Sequence, residues 1–295
     1  MLCKSPISLG THYLPCGQCV PCRLNRRRMW TARLMLELQT HEVSSFVTLT
    51  YDDEHLPAGG TLVPKDTQDW LKRFRKANSN LRLRYYLVGE YGDTTERPHY
   101  HICLFGYPPC SYGQTRLFKN QRPCCAWCSG LRDTWSRGNV FSAELNELSI
   151  QYCAGYVTKK MTSHEDIRLN GRHPEFARMS NRPGIGVPAL QYICESIENF
   201  NLDSQQADVP SVLQFGKKMM PIGRYLRRKM RVMLGRDPNA PPETYSEINK
   251  KMLALQLRSI LNPDESVKGL VVRQNASKVA SIEARAKIHK KRGSL

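Results

Sequence analysis

Apolar positions along the chain change period several times, and those changes divide it into elements. From Arg23 to about Thr40, Trp30, Leu34 and Leu38 recur every fourth residue with arginines on other faces, which predicts an amphipathic helix. Phe46, Val47, Thr48, Leu49, Thr50 and Tyr51 form a β-branched and aromatic run that ends at an acidic loop and Pro57, the pattern of a strand. Residues 63–80 return to helical period with Trp70, Leu71 and Phe74 inward. Residues 81–92 and 97–106 read as two further strands. Residues 142–161 read as a helix with Ser142 as N-cap and Leu145, Leu148, Tyr152 and Tyr156 along one side. The order α, β, α, β, β, α, with a Cys-rich insertion (107–138) before the last helix, is that of an α+β fold.

Residues 1–22 are rich in Pro, Gly and Cys and irregular. From about residue 201 aromatic residues thin out, and residues 219–234 and 246–261 look like amphipathic helices. The last 25 residues carry several Lys and Arg and few large apolar groups, too few to require an ordered end. The expected organisation is one domain over 1–200, including the Cys/Arg-rich start and the insertion, and a helical, basic extension over 201–295.

Charge narrows the partner. Lys plus Arg number 44 against 26 Asp plus Glu, a net +18 over 295 residues, which points to a polyanion and first to nucleic acid. No stretch approaches the ~18 apolar residues of a membrane span. Arg23, Arg26, Arg27 and Arg28 interrupt the N-terminal region before a signal-peptide core can form. A reducing, cytosolic setting follows, in which the eleven cysteines are read for metal or packing rather than disulfides. The four arginines beside Trp30 make a basic, aromatic cluster of the kind that grips phosphates and stacks bases; a solvated helix face is the plainer alternative.

RPHYHICLFG (97–106) places His99 and His101 on one face of a strand and Tyr100, Ile102 and Leu104 on the other. Gly92, Asp93 and Pro98 supply turn chemistry, so 81–91 and 98–105 are expected to form a hairpin. If Tyr91 pairs with Pro98, Glu90 lies opposite His99 on the same face, with Cβ atoms about 5 Å apart. One carboxylate and two imidazoles leave coordination positions open. Such mixed ligation suits Mg²⁺ or Mn²⁺, which can polarise a phosphodiester. A slip of one residue turns Glu90 away, with Glu96 in the loop as the fallback ligand, and two exposed strand histidines are the metal-free reading. Tyr152, Tyr156 and Lys160 fall at i, i+4 and i+8 on one helical face. They are either core tyrosines with a solvated lysine, or two phenols able to attack phosphorus in turn, with Lys159 and Lys160 stabilising negative charge. Tyr156, nearer the lysines, is expected to cut first.

FVTLTYDD, then VGEYG and RPHYHICLFG, then YCAGYVTKK resemble the three motifs of HUH endonucleases, the rolling-circle replication initiators, in the family's order. PCGQCVPCRLNRRRMW, TLTYDDEHLP, GEYG and NRPGIG are most similar to the initiators of microviruses, gokushoviruses in particular. The resemblance covers most of residues 14–190. It implies a ferredoxin-like (RNA-recognition-like) antiparallel sheet with flanking helices, a metal held on the sheet and the tyrosine helix beside it. It also implies nicking at the origin of a single-stranded DNA phage, with a 5′-phosphotyrosine link, a 3′-OH primer, and later re-cutting and joining that release circular single strands. The implied partners are phage origin DNA and single-stranded DNA, in the host bacterial cytoplasm. Because the sequence has no G-x4-G-K-[ST] phosphate loop, a host helicase is expected beside the DNA polymerase. A reading from another class, a non-catalytic single-stranded nucleic-acid-binding protein, calls for aromatic residues on the sheet face, where this chain offers Glu90, His99 and His101.

The cysteines fall outside that resemblance in part. Cys16, Cys19 and Cys22 are spaced C-x2-C-x2-C, and Cys124, Cys125 and Cys128 form CCAWC. Two C-x2-C pairs suffice for a structural four-thiolate zinc site, here across about a hundred residues. An iron–sulfur cluster on the same ligands, or packed free thiols, are the alternatives.

Overall fold

The computed structural model describes residues 2–10, 12–92, 94–116, 124–156, 165–202 and 208–291. In chain order these form β1 (Ile7–Leu9), β2 (His12–Leu14), α1 (Val20–Leu38), β3 (Ser44–Thr50), α2 (Pro64–Ala77), β4 (Arg84–Tyr91), β5 (Pro98–Phe105), α3 (Ala126–Trp135), β6 (Val140–Glu144), α4 (Glu147–Tyr156), β7 (Phe176–Met179), α5 (Leu190–Asn199), β8 (Val212–Phe215), β9 (Lys218–Pro221), α6 (Gly223–Met233), α7 (Pro242–Leu261), α8 (Val267–Arg273) and α9 (Ala276–Lys291). They divide into two compact units, residues 33–189 and residues 1–32 with 190–295. The expected boundary near residue 200 therefore falls differently. The Cys/Arg-rich start groups with the C-terminal helices, and α1 begins in one unit and ends in the other.

In the unit 33–189, five antiparallel strands run in the order β6-β3-β5-β4-β7. β3-α2-β4-β5-α3-β6 is the split βαβ arrangement of a ferredoxin-like fold, and β7 adds a strand at the outer edge of β4. Alternation sorts the two faces. Val47 and Leu49 of β3, Leu87 of β4 and Tyr100, Ile102 and Leu104 of β5 meet Trp70, Leu71 and Phe74 of α2 and Leu131 and Trp135 of α3 in one core. α2 starts on Pro64, whose fixed φ suits a first helical position, and carries Asp66 in its first turn against the helix dipole. Its buried residues, Thr67, Trp70, Leu71 and Phe74, share one face. The two indoles are buried with their N–H groups satisfied: Trp70 donates to the Thr134 hydroxyl at 3.2 Å and Trp135 to the Thr50 carbonyl at 2.9 Å. Gly138 carries the chain from α3 into β6 at φ +141°. A Cβ there would stand 2.3 Å from the Asp52 amide nitrogen, so only glycine passes so close to the end of β3.

Helical period misassigned one element. Ser142 does not cap a helix; it lies in β6, paired with Val47. The free edge of β3 offers a ladder of backbone partners to residues 140–144, and that long-range pairing outweighs a local capping signal. The cap is Asn146, whose side-chain oxygen accepts from the Ser149 amide at 3.1 Å. Leu148, expected inward, is 76% exposed, while Leu145 is buried.

In the other unit, β1 pairs with β2 and β8 with β9, and helices α5 to α9 make up the rest. The helix expected over 219–234 begins only at Gly223, because Met219 and Met220 belong to β9. Asp208 accepts from Arg231 at 2.7 Å and also pairs with Arg227, tying α6 to the preceding segment. The last 25 residues are not without structure: α9 extends to Lys291. Among the described residues no helix is long and apolar enough to cross a membrane.

A buried ion pair closes the back of the sheet. Glu37, at the end of α1, is fully buried and bonded to Arg84 at the start of β4. It also accepts from the Gly186 amide at 2.7 Å, and Arg84 reaches the Pro183 carbonyl at 2.8 Å. The NRPGIG loop is thus pinned to α1 and β4. Burial alone would raise the Glu37 carboxyl, but hydrogen bonds from His41, Arg84 and the Gly186 amide outweigh it and hold the group below its ordinary value. A carboxyl depressed in the folded state adds stability above its unfolded pKa of about 4.3, which is lost as pH falls through the folded value. Glu37→Gln leaves Arg84 buried without a counter-charge and should cost about 3–5 kcal/mol at pH 7 in urea unfolding. The variant should also lose less additional stability than the native chain as pH drops below about 4; parallel pH profiles would contradict this role.

Candidate metal centre and tyrosine helix

β4 and β5 pair in the register the turn suggested, Tyr91 opposite Pro98 and Glu90 opposite His99. Glu90, His99 and His101 therefore share the sheet face opposite the α2–α3 core. Glu90 is 2% exposed and His101 6%. One carboxylate oxygen, Glu90 Oε1, lies 2.8 Å from Nε2 of His99 and 2.8 Å from Nε2 of His101. The ligand atoms of all three residues fall within 4.8 Å of one another.

The far side of each ring is held. His99 Nδ1 lies 3.0 Å from the Arg97 carbonyl, which can only accept, so Nδ1 carries the proton and the Nε2 lone pair faces Glu90. His101 Nδ1 lies 2.9 Å from the Thr48 hydroxyl, and Phe46 stacks on its ring at 5.6 Å. An anionic oxygen and imidazole lone pairs converging on one point attract only through a cation. Both imidazoles are oriented from behind as metal-ligating histidines are. The donor set thus fits a divalent cation. The fallback ligands are engaged elsewhere: Glu96 with Arg172 at 2.9 Å and Asp52 with His55 at 2.7 Å.

α4 packs on this face, against β4 and β5. Tyr152, 37% exposed, brings its hydroxyl 3.4 Å from Glu90 Oε1 and 3.3 Å from His101 Nε2. Tyr156, one turn later, stacks on the His101 ring at 5.7 Å and meets the Tyr152 ring edge-on at 5.0 Å. Burial, reinforced by the Glu90 charge and opposed by a hydrogen bond from Tyr156, pushes the Tyr152 phenol up to about 12. Burial and then Glu90 raise Tyr156 still further. Both phenols hold their protons at neutral pH, and a cation bound to Glu90 would cancel one raising contribution. Lys159 and Lys160 lie outside the described residues. The structure adds Thr48 and Phe46 to the site. Thr48 pairs with His101 across β3 and β5, and the alternation of Phe46, Thr48 and Thr50 was the sequence signal that put them on this face.

The arginine cluster opens α1 in the other unit. Arg26 and Arg28 are exposed, and Arg23, Arg27 and Trp30 are half-buried. Arg28 donates to the Met219 carbonyl, so part of the cluster is structural.

The expected joint thiolate site does not form; each cysteine triad gathers its own fourth member. Cys16, Cys19 and Cys22 are joined by Cys3, and Cys124, Cys125 and Cys128 by Cys110. Cys3 precedes the β1–β2 hairpin, which folds it back beside α1, and Cys110 follows the turn after β5. Neither is marked by its own spacing. The Cys19 amide, bonded to Cys16, brings that thiol down to about 6. At Cys125 burial raises the thiol, but the Ser111 and Cys128 amides outweigh it and bring it to about 6. Burial raises Cys3 and Cys22 in the first set and Cys110 and Cys128 in the second.

Comparison with known proteins bears on this arrangement. The family described as replication-associated protein ORF2 matches residues 44–161, the stretch from β3 through the tyrosine helix. The chain is 32% identical over 226 residues to the replication-associated protein ORF2 of Spiroplasma virus 4, covering 74% of this chain and 67% of that protein. It is 32% identical over 172 residues to the replication-associated protein VP4 of Bdellovibrio phage phiMH2K, covering 56% and 54%. It is 26% identical over 256 residues to the replication-associated protein ORF4 of Chlamydia phage 1, covering 84% and 61%. The chain thus spans between about half and two thirds of these relatives' lengths. No solved structure matches it. The motif order, the sheet that carries it and a relative matched across two thirds of its length agree: the chain belongs to the replication-associated protein ORF2 family, in keeping with the microvirus replication initiators that its motifs resemble.

Proposed function

We propose that the chain is the replication initiator of a single-stranded DNA phage and cuts the phage origin by transferring a phosphodiester to a tyrosine of α4. The observation that carries this reading is the approach of the Tyr152 hydroxyl to both Glu90 Oε1 and His101 Nε2, at 3.4 and 3.3 Å. A Mg²⁺ or Mn²⁺ held by Glu90, His99 and His101 would withdraw charge from a non-bridging oxygen of the scissile phosphate. The Tyr152 oxygen bonds to phosphorus as the bond to the 3′ oxygen breaks; the phenol gives up its proton and the departing 3′ oxygen gains one. The 5′ end stays on the protein and the 3′-OH is a primer for polymerase. Tyr156 on the same face serves the second cut, after which the new 3′-OH attacks the first link and closes the circle. The geometry favours Tyr152 over Tyr156 for the first cut, because its hydroxyl is the one aimed at the Glu90–His101 pair.

Lys159 and Lys160 would steady the phosphate from beyond α4, and Arg23, Arg26, Arg27 and Arg28 with Trp30 would grip single-stranded DNA. Host helicase and DNA polymerase supply unwinding and synthesis in the bacterial cytoplasm. α4 lies over the face on which an RNA-recognition-like sheet would stack bases, which favours the enzyme over a non-catalytic binding protein.

Incubation with single-stranded phage DNA and Mn²⁺ should leave DNA covalently attached to the chain. Tyr152→Phe and Tyr156→Phe should each retain some single-round cleavage but lose coupled cutting and joining. The double variant should form no adduct; an adduct there would place the nucleophile elsewhere. Thr48→Val removes the hydroxyl behind His101 and should weaken Mn²⁺ binding about 10-fold. Unchanged affinity would mean that Thr48 does not orient the ring.

A further inference from the structure

Eight of the eleven cysteines stand in two sets of four, and neither set takes part in the chemistry proposed above. In the first, Cys3 lies ahead of β1, Cys16 and Cys19 between β2 and α1, and Cys22 in the first turn of α1. In the second, Cys110 follows β5, Cys124 and Cys125 immediately precede α3, and Cys128 sits in its first turn. Within each set the four sulfurs lie within 4.8 Å of one another, and all eight thiols are free.

Their separations identify what they suit. Cys3 and Cys19 sulfurs are 3.8 Å apart, Cys110 and Cys124 3.3 Å, and Cys110 and Cys125 3.9 Å. A disulfide needs about 2.05 Å. Four thiolates around one Zn²⁺ at about 2.3 Å form a tetrahedron with edges of about 3.8 Å. In the first set backbone amides also point at the sulfurs: Cys16 at Cys3 and Cys19 at Cys16, each 3.3 Å, and Lys4 at Cys19, 3.4 Å. Such N–H donors stabilise thiolate rather than thiol. An all-thiolate shell selects a soft or borderline ion, in contrast to the carboxylate and imidazoles of the sheet site. With four protein ligands no position is left open for substrate, so both sites are structural. An iron–sulfur cluster places several irons and sulfides between its thiolates and spreads them wider than a single ion does.

We propose that each set holds one Zn²⁺ in a closed four-thiolate site, so that each compact unit carries its own structural zinc. The first ties the N-terminal segment to the start of α1, directly ahead of Arg23, Arg26, Arg27 and Arg28. The second ties the turn after β5 to the start of α3, whose Leu131 and Trp135 complete the sheet core.

Protein purified under reducing conditions without added metal should contain two zinc ions per chain by elemental analysis, one for each set. Cys16→Ser with Cys19→Ser should halve that content, and so should Cys124→Ser with Cys128→Ser. Cys194→Ser, outside both sets, should leave it unchanged. Because a zinc-free variant can fail to fold, the native chain is also loaded with Co²⁺, which should give the thiolate charge-transfer and intense visible bands of tetrahedral Co²⁺ at two equivalents. One zinc or none per native chain, iron in place of zinc, or Co²⁺ without thiolate bands would overturn the proposal.

Discussion

Glu90 faces His99 because Tyr91 pairs with Pro98, and the candidate site depends on that register. A strand alternates its side chains, so a slip of one residue would drive Glu90 into the core among Trp70, Phe74 and Trp135 and bring Tyr91 out. The apolar face prevents the slip. Leu87, Tyr100, Ile102 and Leu104 are all essentially buried on the α2–α3 side, and moving any one of them to the other face would forfeit on the order of 1.5–3 kcal/mol of burial. Hydrophobic packing on one side of the sheet thereby fixes the polar geometry on the other. The carboxylate it holds there is almost wholly desolvated, a costly state without a cation close by. Two oriented imidazoles and a tyrosine hydroxyl surround that carboxylate, and a divalent cation satisfies the set.

Much of this was legible in the sequence, and the parts that were not share a physical cause. The hairpin register followed from turn residues and alternation. The α2 face followed from Trp70, Leu71 and Phe74, and Tyr152 and Tyr156 from their four-residue spacing. These are local signals. Ser142 misled because it is a fitting cap residue, whereas its place is decided by Val47, almost a hundred residues earlier in the chain. Thr48 carries no local mark of function and became visible only once β3 was laid beside β5. Cys3 and Cys110 are single cysteines in the sequence and acquire meaning only where a hairpin and a turn bring them to their triads. Grouping residues 1–32 with the C-terminal helices likewise rests on long-range contacts that no periodicity announces.

The chain separates two kinds of metal chemistry by ligand type. The sheet site offers oxygen and imidazole nitrogen with coordination positions left for water and phosphate. The cysteine sets offer four thiolates and leave none. That separation lets an ion that exchanges with solvent serve the reaction while others hold the fold. It also makes the phenols of α4 intelligible: burial and Glu90 hold both in the neutral form until charge on Glu90 is compensated.

The central claim is that Glu90, His99 and His101 together hold a divalent cation beside Tyr152. Crystals of the native chain grown with Mn²⁺, measured for anomalous scattering, test it most directly. The account predicts an anomalous manganese peak within ligand distance, about 2.0–2.3 Å, of Glu90 Oε1 and of Nε2 of both histidines. A saturated crystal with manganese only at the Asp52–Asp53 loop, or with none on the sheet, would contradict it.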